Sequence, residues 1–229
     1  MRRGVAVAVY KTGEKSRNKI IETCKKLFYL NGYKKTTYKD ICEMADSNPG
    51  LINYYFKTKK KIAEIIYGNF YVEIKTAVEN YMIKHYGEYD LQVGTCLEIL
   101  IFTDLAEKDE NLKRFYYEMC LEGVEYDTKV FKYFFRLHVD RYKLPLNEDQ
   151  IRLIWVANTS IGIGIAKKYI EGYLHISKEE LYDFRIRTMY NSMGISNERI
   201  DEVLKRTYEI YNDMKVTLSD YFAISLDKK

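Results

Sequence analysis

The side chains with the clearest chemical purpose lie between Ser47 and Ile62, in the run SNPGLINYYFKTKKKI. Tyr54 and Tyr55 carry hydroxyls that can donate to phosphate oxygens, and Lys57, Lys59, Lys60 and Lys61 bring four ammonium groups into five residues. Tyr54, Tyr55 and Phe56 are consecutive, so they cannot all face one side of a helix and at least one tyrosine is left exposed. Lysines at the start of a helix oppose the positive end of its dipole unless an anion is close by. The chemistry on offer is therefore polyanion binding. Its alternatives are an aromatic core stripe and an ordinary solvated helix start.

Catalytic and metal chemistry find no comparable foothold. His85, His138 and His175 are isolated from carboxylates and thiols at ligand spacing, and no Ser-His-Asp arrangement is present. Cys24, Cys42, Cys96 and Cys120 form no C-x-x-C pair, so neither a zinc site nor a disulfide framework is implied, and free thiols fit a reducing cytoplasm. The dipeptide repeat at Gly162 and Gly164 follows no strand and completes no dinucleotide-binding loop. No cofactor is expected. Paired acids such as Glu179 and Glu180 sit where a helix beginning after Ser177 welcomes negative charge.

The elements that must carry these residues are helices. Only 2 of 229 residues are proline, and 47% are hydrophobic, ample for a core. No run approaches the roughly 18 apolar residues a membrane span needs. Residues 1–61 hold 15 basic and 5 acidic residues, while the remainder holds 22 and 28, so a basic N-terminal quarter rides on an acidic body. The start, MRRGVAVAVY, is too short in its apolar run for a secretory leader and reads as a flexible arm. From Arg17, the residues Ile20, Ile21, Cys24, Leu27 and Phe28 form one helical stripe, with Ser16 as cap and Asn31-Gly32 as the stop. Thr37 caps a second helix, with Asp40 three residues on in a variant of the capping box. Asn48 caps a third, whose first position suits Pro49 because the missing N–H is no loss there. Thr58 caps a fourth. Further helices are expected near 91–107, 109–122, 124–142, 147–172, 178–193 and 197–222, with no sheet.

Two short helices joined by a tight turn, the second followed by lysines, describe a helix-turn-helix. The runs GYKKTTYKDICEMA (32–45) and PGLINYYFKTK (49–59) resemble the DNA-binding domain of the TetR family of transcriptional regulators, over about residues 17–66. The resemblance implies an all-α protein with a head over 1–60 and a helical ligand-binding and dimerisation body over 61–229. It implies DNA contacts for Thr37, Tyr38, Ser47, Asn48, Pro49, Gly50, Asn53, Tyr54, Tyr55 and Lys59. Thr37, Tyr54, Tyr55 and Lys59 would serve phosphates, while Pro49, Gly50 and Asn53 would face the bases. Asn53 stands where the family commonly has tyrosine, and an asparagine can pair with adenine through two hydrogen bonds. Ser47 replaces a small apolar residue in the turn.

The body is rich in aromatics, which build either a core or the wall of a pocket. The pocket reading selects Tyr116, Glu118, Glu122, Tyr133 and Trp155, with the two acids as partners for a cationic or aromatic effector. Ala157, Ser160 and Gly164 line one helix face with small residues, suited to close helix approach. The resemblance implies a homodimer through a four-helix bundle from about 147–172 and 178–193, and a double-stranded operator released when an effector binds. Two other readings remain: a helical small-molecule carrier or enzyme with an incidental basic head, and a sequence-independent DNA binder.

Overall fold

The computed structural model describes the backbone of residues 2–123, 128–219 and 221–229, and the side chains of residues 13–123, 134–219 and 221–229. The described residues form α1 (Arg2–Asn31), α2 (Tyr38–Ala45), α3 (Pro49–Phe56), α4 (Lys59–Tyr86), α5 (Leu91–Lys108), α6 (Glu110–Leu121), α7 (Thr128–Tyr142), α8 (Glu148–Ile170), α9 (Lys178–Ser192) and α10 (Asn197–Asn212), followed by β1 (Met214–Ser219) and β2 (Ala223–Lys228).

The caps fall where side-chain chemistry puts them. The hydroxyl of Thr37 accepts from the Asp40 amide while the Asp40 carboxylate accepts from the Thr37 amide, closing a reciprocal capping box. Asn48 accepts from the Leu51 amide, Thr58 from the Lys61 amide and Ser177 from the Glu180 amide. One helix start differs: α1 runs back to Arg2 instead of beginning at Arg17, so Ser16 is not a cap and the arm is helical. Nothing in that stretch stops a helix, since Gly4 and Gly13 weaken one without breaking it and no proline intervenes.

The larger correction is at the C-terminus. α10 ends at Asn212, and the chain returns as an antiparallel hairpin pairing Met214 with Lys228 through Ser219 with Ala223. The alternation that specifies it is short: Met214, Val216 and Leu218 against Lys215, Thr217 and Ser219, with Met214 buried and Val216 and Leu218 half-buried. Reading this as a continued helix overlooked a period of two.

α1, α2 and α3 form the head. Ile20, Cys24, Phe28, Ile41, Ile52 and Phe56 are buried there, and α4 packs on both α1 and α3. The same α4 packs on α5 and β2, and one continuous apolar core runs from the head through Phe70, Phe102 and Phe115 into the body.

Candidate nucleic-acid interface

α3 is two-sided. Ile52 and Phe56 are buried, whereas Pro49, Gly50, Asn53 and Tyr54 are exposed, Tyr54 to 71%. Positions 50, 53 and 54 share a helix face by their spacing, so the outward side of α3 carries a small residue, an amide and a phenol. A Cβ on Gly50 would come 3.0 Å from the Asn48 oxygen that caps the helix, so a side chain there would press on the cap. Tyr55 is half-buried, packs edge-on to Tyr54 with centroids 5.1 Å apart, and leans on the core.

Thr37 and Tyr38 sit at the start of α2 with their hydroxyl oxygens already used as acceptors. The Tyr38 oxygen receives the Lys59 amide at 2.8 Å, which brings the N-termini of α2 and α4 together. An acceptor-occupied hydroxyl still has its own O–H to give, so both residues remain competent donors to phosphate.

Lys59 and Ser47 depart from the expected roles. Lys59 Nζ donates to the carbonyls of Tyr33 and Thr36, each at 2.7 Å, and lies 4.4 Å from the centre of the Tyr33 ring. Burial holds its pKa below the usual lysine value, opposed by the charges of Glu118 and Glu122. Two of its three N–H donors are turned inward, so Lys59 ties the turn before α2 to α4 and is not a free cation awaiting a phosphate. The Ser47 hydroxyl is shielded from solvent and has no protein partner, so it does not present itself to a groove.

The family model for bacterial regulatory proteins of the tetR family matches residues 20–66, which covers the C-terminal part of α1, all of α2 and α3, and the start of α4. This chain carries a tetR-family DNA-binding head. It is the head of a DNA-binding transcriptional regulator. The HTH-type transcriptional regulator QacR of Staphylococcus aureus is 23% identical over 184 residues, spanning 76% of this chain and 92% of that protein. Among solved structures, RolR in complex with resorcinol superposes with a TM-score of 0.60 at 12% identity, covering 86% of this chain and 96% of that one. A Syntrophomonas wolfei protein assigned to the TetR-family regulators gives 0.51 at 18% identity, over 80% of this chain and 96% of its own. These structural likenesses establish the fold of the body as well as of the head.

The tetR-type head is held to the body by α6. Arg114 Nη2 donates to the carbonyls of Tyr29 (2.6 Å) and Leu30 (3.0 Å) at the C-terminal end of α1, where a cation also meets the negative end of the helix dipole. Glu118 accepts the Tyr33 amide at 2.6 Å, and Tyr29 donates its hydroxyl to Asp109. Lys60 of α4 reaches the Glu122 carbonyl at 2.9 Å. Gly32 makes this approach possible. Its φ is +89°, and a Cβ there would lie 3.1 Å from Arg114 Nε and 3.2 Å from a Glu118 oxygen.

This junction reassigns part of the pocket expected from the sequence. Glu118 and Glu122 face the head and the Lys59 charge, not a ligand. Tyr116 is buried among Phe102, at a centroid distance of 4.8 Å, and Tyr67, at 6.1 Å. Burial pushes its hydroxyl well above the usual tyrosine pKa. Trp155 is half-buried with its indole N–H shielded and unpartnered, and the Tyr133 side chain lies outside the described residues. Among the described residues, Glu118 therefore turns to the head while Tyr116 packs against Phe102 and Tyr67. Sequence reasoning missed Arg114 and Tyr33, whose roles arise from contacts 85 residues apart, while His138, isolated in the sequence, is a structural residue of the interior. That imidazole is fully buried, Nδ1 lies 3.1 Å from the Phe134 carbonyl, Nε2 has no partner, and burial lowers its pKa to about 4.

Burial pushes the Cys24 and Cys96 thiols up to about 12 and Cys120 up to about 11, so these sulfurs stay protonated near neutral pH. Among the described residues, no group of His, Cys, Asp and Glu could hold a metal ion, and no helix is long and apolar enough to cross a membrane.

Proposed function

We propose that this chain is a dimeric, effector-responsive repressor that reads DNA with α3 and anchors itself on phosphates with the start of α2 and the C-terminal half of α3. The observation that carries this reading is the two-sided α3: Ile52 and Phe56 inside, Gly50, Asn53 and Tyr54 outside. On this reading the amide of Asn53 reads a base, and Thr37, Tyr38 and Tyr54 donate to phosphates. Tyr55 supports Tyr54, Asn48 caps the reading helix, and Pro49-Gly50 keeps its tip narrow. Lys59 acts from inside the head, fixing where Thr37 and Tyr38 point. The functional division stays at a DNA-binding part over 1–60 and a body over 61–229, with α4 as the shared element.

The dimer surface of this proposal is the outward side of α8 and α9. Leu153 is 69% exposed and Phe184 55%. Val156, Ser160 and Gly164 continue from Leu153 as an exposed stripe at helical spacing. An open apolar groove of about 390 Å³ lies beside it, lined by Ile161, Gly164, Tyr173 and Phe184 among others. A symmetric pairing buries each such side chain twice, so Leu153→Glu should forfeit about 3–6 kcal/mol and dissociate the dimer, as sedimentation velocity would register. A native-mass dimer in that variant would move the interface elsewhere.

In a dimer, each α3 enters a major groove, with half-sites about one helical turn apart (~34 Å) or a multiple of it. The effector belongs to the body. RolR is solved with resorcinol, a phenolic ring, and a small aromatic suits this body's concentration of aromatic side chains. Such a ligand releases DNA only by favouring one head pose over another. The testing experiment is a binding titration of the purified protein against the DNA flanking its own coding region, with unrelated duplex as competitor. Specific retention at moderate salt supports the reading, and equal affinity for every duplex would replace it with a sequence-independent binder.

A further inference from the structure

The C-terminal hairpin does more than end the chain. Its base is fastened to the body. The Lys229 amide donates to the Asp213 carbonyl at 2.9 Å and Lys229 Nζ to the Asn212 carbonyl at 2.8 Å, while nearer the tip the Ile224 amide donates to Glu73 of α4 at 2.9 Å. Its tip goes to the junction between head and body. Phe222 is 1% exposed and touches three helices, with ring centroids 5.3 Å from Tyr29 of α1, 5.7 Å from Phe70 of α4 and 4.8 Å from Phe115 of α6. Tyr221 meets the Tyr29 ring edge-on at 5.7 Å and receives the Lys26 ammonium at 5.8 Å. Tyr29 is also the residue whose hydroxyl and carbonyl are held by Asp109, which caps α6, and by Arg114 of α6. The last turns of α1 are thus gripped by α6 and by the hairpin tip together.

The backbone at the tip is unusual. Tyr221 and Phe222 adopt φ of +58° and +72°, left-handed values that bulky L-residues seldom take. A conformation of that kind persists where the surrounding packing over-determines it, and such sites concentrate where a structure is set for a task. The rings of Tyr29, Phe70 and Phe115 supply that packing here.

We infer that the hairpin is a clamp setting the pose of the DNA-binding head on the body, with Phe222 as its positioning residue. Phe222 touches no DNA. It narrows the range of head orientations, and in the proposed dimer that range decides how well two heads match one operator spacing. The effect on DNA rests on the regulator reading, whereas the clamp itself does not.

The test uses the full chain with nitroxide labels at Met44→Cys on the head and Ile83→Cys on α4, both positions exposed, with Cys42→Ser to remove the half-buried native thiol. In the unsubstituted background, the label-to-label distance distribution is expected to be narrow. Phe222→Ala is expected to broaden it, and Phe222→Leu, which keeps apolar bulk, to restore most of the narrowness. Tyr221→Gly relieves the φ and removes one ring from Tyr29, and it serves as a second variant should Phe222→Ala fail to fold; broadening is expected there too. On DNA, a dimer whose two heads together hold the competent spacing about a tenth of the time binds a full operator about tenfold more weakly. Affinity for a single half-site, which needs no fixed spacing, is expected to be unchanged. Distributions that stay narrow in Phe222→Ala and Tyr221→Gly overturn the clamp, as does an equal loss on half-site and full operator. Should the unsubstituted protein bind no DNA, the regulator reading fails and the distance distributions alone decide the clamp.

Discussion

Replacing Lys59 with methionine separates two uses of a lysine at the start of α4. The substitution keeps the apolar stem and removes the ammonium, with its hydrogen bonds to the Tyr33 and Thr36 carbonyls and its position over the Tyr33 ring. Hydrogen bonds from a charged donor contribute about 1.5–3 kcal/mol each and a partly desolvated cation–π contact about 1 kcal/mol. Against this stand the desolvation already visible in the lowered pKa of Lys59 and the access that the freed carbonyls regain to water. A net loss of about 2 kcal/mol is expected, which for a chain of this size lowers the melting temperature by about 4–8 °C. DNA affinity should fall because the turn leading into Thr37 loses its tie to α4, while the Lys59 amide that holds the Tyr38 oxygen remains. The dependence of log K on log salt should change little, since no phosphate partner is lost. A lysine that bonded directly to phosphate would leave the melting temperature nearly unchanged and reduce the salt slope by about 0.9. Calorimetry and a salt titration on the same preparation distinguish the two, and the second pattern would refute the inward role of Lys59.

Two further perturbations follow from the junction and the body. Gly32→Ala places a Cβ at φ +89° and within 3.1 Å of Arg114 Nε, so it should destabilise by about 2 kcal/mol and loosen α6 from α1; differential scanning calorimetry would check it, and an unchanged melting temperature would mean the junction adapts freely. His138 titrates near 4 when folded and near its ordinary value of 6.5 when unfolded, so the unfolded chain binds more protons between those values. Its contribution is therefore fully present above about pH 6.5 and is lost as the pH falls toward 4, with a slope of at most about 1.4 kcal/mol per pH unit. Urea midpoints measured across pH 7 to 4.5 should flatten in His138→Phe, and an identical pH profile would contradict the buried neutral imidazole.

How much of this was readable in the sequence depended on the range of the forces involved. Caps at Thr37, Asn48, Thr58 and Ser177 were legible because a cap is completed within three residues, by groups the sequence displays side by side. That at least one of Tyr54 and Tyr55 is exposed followed from helical spacing, whereas the outward Asn53 followed from the resemblance to the family. The hairpin was missed because six alternating residues are a weak pattern and the preceding helix set a misleading period. The destinations of Lys59, Glu118 and Glu122 were illegible for a different reason. Lys59 finds its partners across a contact inside the head and Glu118 across the contact between head and body, and nothing local distinguishes such a charge from one that awaits a ligand or a phosphate. The pocket reading of Glu118 and Glu122 failed for want of that long-range information.

The central claim is that α3 reads sequence, and Asn53 is the residue on which it turns. The most direct measurement compares the intact protein with Asn53→Ala on its selected operator and on operators altered one base pair at a time. The account predicts a loss of about 1–3 kcal/mol on the selected operator, with discrimination relaxed at one position in each half-site and retained elsewhere. A uniform loss across all duplexes, or no loss at all, would contradict it.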